Sequence, residues 1–166
     1  MPDLATELIL GNSNKRFSGV TSTMLQVLPH QQKQLKLAVM GDSNLPENTP
    51  SISFLEAAKL CRRPLDNGRS RIFHARRNDE MIQAILLRKL FRAKLLTVFT
   101  STAQRHHSGF TKWLMGQMDG IITTCTAAGS YLEKPADVTI PHGIDLNTYY
   151  PAADKPKAWQ DLGLPG

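Results

Sequence analysis

In the stretch Val-Thr-Ile-Pro-His-Gly-Ile-Asp, residues 138–145, three β-branched residues are followed by a proline and then by a His-Gly turn. Proline cannot donate a hydrogen bond to a strand ladder, so Pro141 ends a short strand. Gly143 suits the turn because glycine adopts backbone conformations that other residues avoid. In an open α/β sheet, a loop that leaves the carboxyl end of a strand is a place where ligands bind. An ordinary exit from a strand has the same spacing, so both interpretations stay open at this point.

Upstream of this stretch, short apolar runs alternate with segments of helical periodicity. Strands are predicted at residues 7–10, 35–40, 71–74, 95–99, 119–124 and 138–140. Helices are predicted from Val20 onward and at residues 52–60, 79–91, 109–118 and 127–133. Six strands that alternate with helices in this way predict an α/β fold with a doubly wound parallel sheet.

The apolar residues also predict which helix faces are buried. In the helix after the third strand, the residues predicted to pack on the sheet are Ile82, Leu86 and Leu90, flanked by Leu87 and Phe91. Met81 and Ile85 then fall on the outer side among basic residues, a mixture that is typical of a membrane-surface helix, although a second covering element explains it equally well. Inward-facing positions are predicted in the neighbouring helices as well: Phe54, Leu55, Ala58, Leu60, Trp113 and Leu114.

Composition limits the class of protein. The 166 residues, 41% of them apolar and 20% charged, suit one globular domain. No apolar run approaches the roughly 18 residues that a membrane span needs, and the first residues lack the basic region of a signal peptide, so a cytoplasmic location is expected. Cys61 and Cys125 lie far apart and are expected to be reduced thiols.

The positive charge is concentrated in one part of the chain. The net charge is +6, yet residues 62–105 alone carry eleven Lys and Arg against three acidic residues, a net of +8. Such a segment suits nucleic acid, an acidic membrane surface or an acidic glycolipid, and an ordinary solvated basic face is the alternative.

Two loops at predicted carboxyl ends of strands carry groups that suit an anion. The first ends in Ser18-Gly19-Val20-Thr21, where a hydroxyl caps the next helix and the helix dipole favours negative charge. Because no G-x-G-x-x-G is present, this loop is not the dinucleotide fingerprint. The second loop holds Arg105, His106 and His107. Adjacent histidines point in different directions on a helix or strand, so no metal site is predicted.

These motifs together resemble the retaining GT-B glycosyltransferases of family 4. The Pro-His-Gly-Ile-Asp turn, followed by Tyr149-Tyr150-Pro151, resembles the signature that closes their N-terminal domain. Ser18-Gly19-Val20 resembles a form of their glycine loop, and residues 118–126 follow another of their patterns. Residues 73–78, Phe-His-Ala-Arg-Arg-Asn, resemble a D-[VI]-[VI]-H-A-H pattern with an arginine in place of the second histidine. Within the family, the greatest resemblance is to lipopolysaccharide core mannosyltransferases.

The sequence departs from the family at one important position. A histidine usually stands directly after the fourth strand, but this chain has Phe99-Thr100 there. Arg105, His106 and His107 are the candidates to replace that histidine. His74, which matches a family histidine, is equally well explained as a buried histidine with its hydrogen bonds satisfied.

The resemblance implies a Rossmann-like acceptor domain at residues 1–151, with residues 152–166 leading into a donor domain whose E-x7-E pair is not found in this chain. It implies transfer of mannose from GDP-mannose, with retention and without a metal ion or other cofactor, to an acidic lipid-linked inner core. Peripheral contact with the cytoplasmic face of the inner membrane is an open extension of this hypothesis. His142 and Asp145 are predicted to shape the hinge between the domains. The implied site residues are His106 and His107 for catalysis, Ser18, Gly19, His142 and Gly143 for the donor phosphate cleft, and Lys15, Arg16, Arg76, Arg77 and Arg105 for the acceptor.

Two other classes of protein remain as alternatives. A non-catalytic basic α/β module would bind nucleic acid or another polyanion, but the sequence has no RNA-binding signature or basic stripe interleaved with aromatic residues. A nicotinamide-dependent dehydrogenase is disfavoured because the glycine fingerprint is missing.

Overall fold

The computed structural model describes residues 3–143 and 150–163. The strands within these residues are β1 (Leu8–Gly11), β2 (Leu37–Met40), β3 (Ser51–Ile52), β4 (Arg71–Ala75), β5 (Leu95–Ser101), β6 (Gly120–Thr123) and β7 (Val138–Thr139). The helices are α1 (Gly19–Gln32), α2 (Phe54–Leu60), α3 (Asn78–Lys89), α4 (Gly109–Met115), α5 (Thr126–Gly129) and α6 (Lys155–Asp161).

The strands form one sheet in the order β3-β2-β1-β4-β5-β6-β7, and all neighbouring strands are parallel. The predicted Rossmann-like, doubly wound parallel sheet is therefore confirmed. The strand order reverses between β1 and β4, which are adjacent in space although β2 and β3 separate them in sequence. Ligands bind at such a switch point, outside the carboxyl ends of the strands.

Helices pack on both faces of the sheet. On one face α1 contributes Met24 and Leu28, which pack in a cluster with residues of β1 and β2. On the other face α2, α3 and α4 cover a larger core around Phe73 and Phe99. On the α1 side, the register aligns Ile72 with Leu96, and both side chains remain partly exposed. Within the described residues, helices thus cover one face of the sheet completely and the other face only in part.

The predicted face of α3 is wrong. The buried residues are Glu80, Met81, Ala84 and Leu87, whereas Ile82, Leu86 and Leu90 point to solvent. The physical reason is that Glu80 is held in the interior by hydrogen bonds to the loops after β1 and β4. This anchor turns the helix so that the small Ala84 faces the core.

The residues of α4 that face solvent also differ from the prediction. Thr111 and Leu114 are buried, and the Thr111 hydroxyl accepts a hydrogen bond from Asn78 Nδ2 at 2.9 Å. This contact with α3 fixes the rotation of the helix. Trp113 was expected to face inward but is exposed, and its ring stacks on that of Phe110 with centroids 6.1 Å apart.

Several element boundaries differ from the predictions as well. Ser51–Ile52 forms β3 beside β2 instead of beginning a helix, so the sheet has seven strands rather than six. Ser53 then starts α2 through a capping box with Glu56, and Leu55 is exposed rather than buried. The helix predicted at 127–133 is reduced to the four residues of α5, with Cys125 as its N-cap.

None of the described helices is long and apolar enough to cross a membrane.

Candidate functional site

A cavity of about 400 Å³ opens at the carboxyl edge of the sheet, beside the switch point between β1 and β4. Its walls come from the start of α1, the loop after β4, the end of β5 and the turn after β7. The lining residues are Ser18, Gly19, Val20, Thr23, Arg76, Thr100, Thr102 and His142. Residues that the sequence places far apart, Ser18, Arg76 and His142, thus meet in one crevice. Larger hollows of about 710 and 640 Å³ lie at the opposite, amino edge of the strands.

The first turn of α1 forms one wall of this cavity. Ser18 is the N-cap and its hydroxyl accepts a hydrogen bond from the Thr21 backbone N–H at 3.4 Å. A Cβ added at Gly19 would meet no heavy atom within 4 Å, so the backbone at this position is open to the cavity. The end of a 14-residue helix with unpaired N–H groups favours an anion there.

Arg76 supplies a cationic group to the same cavity. Its Nη1 atom is buried and has no hydrogen-bond partner among residues 3–143 and 150–163. Burial lowers the pKa of this guanidinium to about 10, although the nearby Glu80 carboxylate acts in the opposite direction. The group stays protonated at neutral pH. A buried, charged donor without a partner is costly, and an anion in the cavity would satisfy it.

Glu80 explains why Arg76 lacks a partner. Its carboxylate is fully buried and accepts hydrogen bonds from the Arg76 backbone N–H at 2.7 Å, from Arg77 Nη1 at 2.9 Å and from the Ser13 hydroxyl at 3.3 Å. Gly11 makes room for it, because a Cβ there would lie 2.9 Å from Glu80 Cγ. The carboxylate therefore pairs with Arg77 Nη1, while Arg76 Nη1 has no acceptor within the described residues.

Arg77 joins the loop after β4 to the start of α1. Its Nη2 donates to the Ser18 hydroxyl at 2.8 Å and to the Thr21 hydroxyl at 3.0 Å, while Nη1 pairs with Glu80. These bonds occupy much of the guanidinium inside the protein. The geometry gives Arg77 a bracing role, and its predicted contact with an acceptor stays a prediction.

His74 lies below the floor of the cavity. Its Nε2 is 2.7 Å from the Thr100 hydroxyl, which connects β4 to β5. Burial, reinforced by the charge of Arg76, lowers the pKa of His74 to about 3, so the ring is neutral. The structure matches the interpretation of His74 as a buried histidine with its hydrogen bond satisfied.

The second predicted loop lies outside the main cavity. His107 Nε2 is 3.2 Å from the Ser101 hydroxyl, and the ring lines a separate cavity of about 130 Å³. Burial lowers the pKa of His107, and Arg105 adds to this effect. His106 packs edge-on against Tyr131 with ring centroids 5.2 Å apart. None of Arg105, His106 and His107 lines the 400 Å³ cavity, so their catalytic and acceptor roles stay predictions.

The remaining predicted residues either do not line the cavity or fall outside the described residues. Lys15 and Arg16 are exposed in the loop before α1, and Gly143 is exposed beside His142. None of the three lines the cavity. Ile144, Asp145 and Tyr149, which carry part of the family signature, lie outside the described residues.

The basic residues of the segment 62–105 have different roles in the structure. Arg71 is almost fully buried and donates to the backbone carbonyls of Leu4, Thr6 and Arg63. Arg88 pairs with Asp119 at 2.8 Å. With Arg76 and Arg77 also directed inward, four of the eleven basic residues do not contribute to an open cationic surface. The binding of a polyanion along this segment is correspondingly less favoured.

Sequence comparison connects this site to known proteins. The chain is 44% identical over 172 aligned residues to the lipopolysaccharide core biosynthesis mannosyltransferase LpcC of Rhizobium leguminosarum bv. viciae. It is 46% identical over 160 residues to the lipopolysaccharide core biosynthesis mannosyltransferase LpsB of Rhizobium meliloti. The alignments cover 100% and 95% of this chain. The chain is a homologue of lipopolysaccharide core mannosyltransferases. It spans about half the length of these curated relatives, 47% and 44%.

Structural comparison confirms the fold. HepE of Anabaena in complex with UDP superposes with a TM-score of 0.64 and covers 95% of this chain with 50% of its own length. The same protein with UDP and glucose gives a TM-score of 0.65. Identity is 12% in both cases, so the similarity concerns the fold alone. No protein-family model matches the sequence.

Sequence reasoning located the start of α1 and the loop after β4 but missed the residue that organises them. The helix dipole alone explains an acidic residue such as Glu80 in the first turn of a helix, so Glu80 was not predicted as a site residue. A sequence signal did exist: Glu80 comes shortly after two consecutive arginines and lies in the first turn of the helix that follows a strand. Its burial depends on Gly11, which is 69 positions away in the chain, and local patterns do not show that proximity.

Proposed function

We propose that this chain is the acceptor-side half of a retaining glycosyltransferase that transfers mannose from GDP-mannose to the lipopolysaccharide inner core. One observation carries the proposal: the cavity beside the switch point combines the start of α1 with the unpartnered Nη1 of Arg76. The homology to core mannosyltransferases supports the sugar and the acceptor class. The similarity to HepE, whose complexes contain UDP and UDP-glucose, supports a nucleotide-sugar donor.

The proposed site residues then divide into two groups. Ser18 and Gly19 at the start of α1, with His142 and Gly143 on the opposite rim, face the donor's sugar and phosphate. Arg76 at the base of the cavity binds a carboxylate or phosphate of the acidic acceptor, because an arginine fork pairs well with either group. Lys15, Arg16, Arg77 and Arg105 are the further acceptor residues of this hypothesis, and Arg77 also braces Ser18.

The proposed chemistry places little covalent work on this half of the enzyme. Its residues hold the acceptor hydroxyl near the donor and supply fixed positive charge where the leaving diphosphate develops negative charge. The start of α1 provides that charge, and no divalent cation is required in this mechanism. His106 and His107 are the proposed proton-handling or hydrogen-bonding groups, and they would have to approach the substrate from the neighbouring loop.

The rest of the proposal concerns the whole protein. The relatives are about twice as long, so we expect a second, donor-binding domain to close over the cavity. The enzyme would act on the cytoplasmic face of the inner membrane, where a lipid-linked acceptor would be available. Peripheral contact with that membrane is part of the proposal.

The test uses the full-length enzyme with GDP-mannose and a core oligosaccharide that carries its native acidic sugar. Arg76→Ala should raise the KM for this acceptor by about tenfold, since a charge-assisted bond contributes about 1.5–3 kcal/mol. Arg76→Lys keeps the charge but loses the fork, so its KM for the acceptor should lie between the values of the unaltered enzyme and of Arg76→Ala. Nuclear magnetic resonance of the product should show the same anomeric configuration as the donor. Unchanged acceptor kinetics in Arg76→Ala, or an inverted product, would contradict the proposal.

Nucleic-acid binding is the second candidate, because residues 62–105 still carry a net charge of +8. It predicts binding to oligonucleotides whose affinity falls steeply with salt. Filter binding at 50 and 200 mM salt separates the two functions, since a nucleic-acid-binding module should bind tightly at 50 mM salt whereas a glycosyltransferase should bind only weakly even there.

A further inference from the structure

The first turn of α1 and the loop after β4 share a hydrogen-bonded group of three side chains at the cavity wall. Arg77 Nη2 donates to the Ser18 hydroxyl at 2.8 Å and to the Thr21 hydroxyl at 3.0 Å. The two hydroxyl oxygens lie 3.2 Å apart. We refer to Ser18, Thr21 and Arg77 as the hydroxyl cluster. Ser18 lines the cavity, whereas Thr21 is almost fully buried.

The donors and acceptors of the hydroxyl cluster fix the direction of each proton. Because a guanidinium has no acceptor atom, both hydroxyl oxygens receive hydrogen bonds from Arg77. The Thr21 hydroxyl must donate its own proton inside the protein, since Thr21 is only 1% exposed. Within the described residues, the acceptor in reach of this hydroxyl is the Ser18 oxygen, to which the Thr21 backbone N–H also points at a longer 3.4 Å. The Ser18 hydroxyl therefore accepts from both partners and keeps its own proton for a group outside the cluster.

The cavity is the direction that remains for the Ser18 proton. Thr23, another hydroxyl residue of the cavity wall, donates to the Gly19 carbonyl at 2.8 Å, so its proton is used within the helix. A hydrogen bond from a guanidinium polarises the Ser18 hydroxyl and strengthens the bond that this hydroxyl donates in turn. The same cavity holds a second donor, the buried Arg76 Nη1, which has no partner among the described residues. Two donors that face one cavity indicate that its ligand is an anion.

We propose that Arg77 is a positioning residue that presents the Ser18 proton to a phosphate oxygen of the ligand, and that it acts on this oxygen only through Ser18. The Glu80 carboxylate holds Arg77 Nη1 at 2.9 Å, which fixes the fork while Nη2 reaches the two hydroxyls. A lysine keeps the charge but has a single nitrogen, so it cannot hold Glu80 and both hydroxyls in this geometry. The inference rests on the proposed function for the identity of the ligand, which is the diphosphate of a nucleotide sugar.

Nuclear magnetic resonance of this chain with inorganic diphosphate tests the proposal without requiring enzyme activity. The backbone amide signals of Gly19 and Val20 should shift as the anion binds, with a Kd of about 1 mM. Ser18→Ala removes a hydrogen bond to a charged group and should weaken binding by about tenfold. Arg77→Lys leaves the hydroxyl without its fixed partner and should weaken binding by about fivefold. The double variant should bind no more weakly than Ser18→Ala, because residue 77 then has no hydroxyl at position 18 to orient.

Arg62→Lys is the matched control, because Arg62 is exposed at the amino edge of the sheet, away from the cavity. Its affinity for diphosphate should equal that of the unaltered chain, and circular dichroism should show that each variant is folded. If Arg77→Lys does not fold, Thr21→Val tests the same cluster: it keeps the shape of a buried side chain, removes one bond to Ser18 and should weaken binding by about threefold. Independent effects of Ser18→Ala and Arg77→Lys, about fiftyfold together, would overturn the proposal. So would normal binding by Ser18→Ala, or unaltered signals from the first turn of α1 when diphosphate is added to the unaltered chain.

Kinetics of the full-length enzyme separate this inference from the proposed function. With the acceptor at a saturating concentration, Arg77→Lys should lower kcat/KM for GDP-mannose when Ser18 is present but not in the Ser18→Ala background. If mannose is transferred and the loss is the same in both backgrounds, the inference fails and the proposed function stands. If no mannose is transferred but diphosphate binding shows the coupling of Arg77 to Ser18, the proposed function fails and the positioning role stands.

Discussion

The carboxylate of Glu80 accepts a hydrogen bond from Arg77 Nη1 at 2.9 Å inside the protein, where the carboxylate has no exposure to solvent. The same carboxylate holds the Arg76 backbone and the Ser13 hydroxyl. Arg77 in turn reaches Ser18 at the start of α1. One ion pair therefore joins the loop after β1 to the loop after β4 and the first turn of α1, and the last two of these line the cavity.

Removal of the Glu80 carboxylate should be strongly destabilising. Glu80→Ala leaves Arg77 charged and largely buried without its partner, and we expect the free energy of unfolding to fall by about 3 kcal/mol. Urea denaturation followed by circular dichroism measures this change. Asp79→Ala is the control, because that exposed neighbour should alter stability by only about 0.5 kcal/mol. Equal effects of the two variants would show that the ion pair is not structural.

A methyl group at Gly11 should disturb the same network from the other side. The added Cβ would lie 2.9 Å from Glu80 Cγ and 3.0 Å from Glu80 Oε2. Because the carboxylate is fixed by several bonds, Gly11→Ala should cost about 1–3 kcal/mol of stability. Gly109→Ala is the matched control, since a Cβ there meets no heavy atom within 4 Å at the start of a helix. A Gly11→Ala protein as stable as the Gly109→Ala protein would contradict the crowding argument.

Most strands of the sheet could be predicted from the sequence because the signals for a strand are local. The runs at β1, β2, β4, β5 and β6 are short and largely apolar, and β1 and β2 are buried at all their positions, as parallel strands covered on both faces are. The alternation with helices then leaves few topologies. β3 was missed because its two residues have no periodicity of their own and exist as a strand only through pairing with β2.

The orientation of α3 was not accessible in the same way. Ile82, Leu86 and Leu90 make the more apolar stripe, and a periodicity argument therefore buries them. The helix instead follows the polar anchor at Glu80, whose partners come from two other loops. Likewise, the sequence predicted Ser18 and Arg76 as site residues but not that Arg76 Nη1 would be a buried donor without a partner among the described residues. Which arginine keeps a donor without a partner depends on which of the two the buried Glu80 carboxylate contacts.

His74 should make stability depend on pH in a defined window. Its pKa is about 3 in the folded protein and about 6.5 when exposed, so the unfolded chain binds more protons between these values. Stability contributed by the neutral ring is complete above pH 6.5 and is lost as pH falls toward 3. Between pH 6.5 and pH 5 the loss should be about 2 kcal/mol, and His107, whose pKa is also lowered, acts in the same direction.

Urea midpoints at pH 7 and pH 5 measure this dependence. His74→Gln keeps a hydrogen-bonding group near Thr100 but does not titrate, so its stability should fall much less over the same interval. If the stabilities of the unaltered chain and of His74→Gln changed with pH in parallel, His74 would have to be accessible to protons in the folded state.

The two cysteines should differ sharply in reactivity. Cys61 is buried, and burial raises its pKa to about 11, so almost none of it is the reactive thiolate at pH 8. Cys125 is partly exposed at the start of α5, where its sulfur accepts a hydrogen bond from the Ala128 backbone N–H at 3.4 Å. A disulfide reagent such as 5,5′-dithiobis-(2-nitrobenzoic acid) should therefore modify one thiol rapidly in the native protein and the second only after denaturation. Cys125→Ser should remove the rapid phase and leave the slow one. Two thiols that react at the same rate in the native state would show that the core around α2 opens to solvent far more readily than its packing indicates.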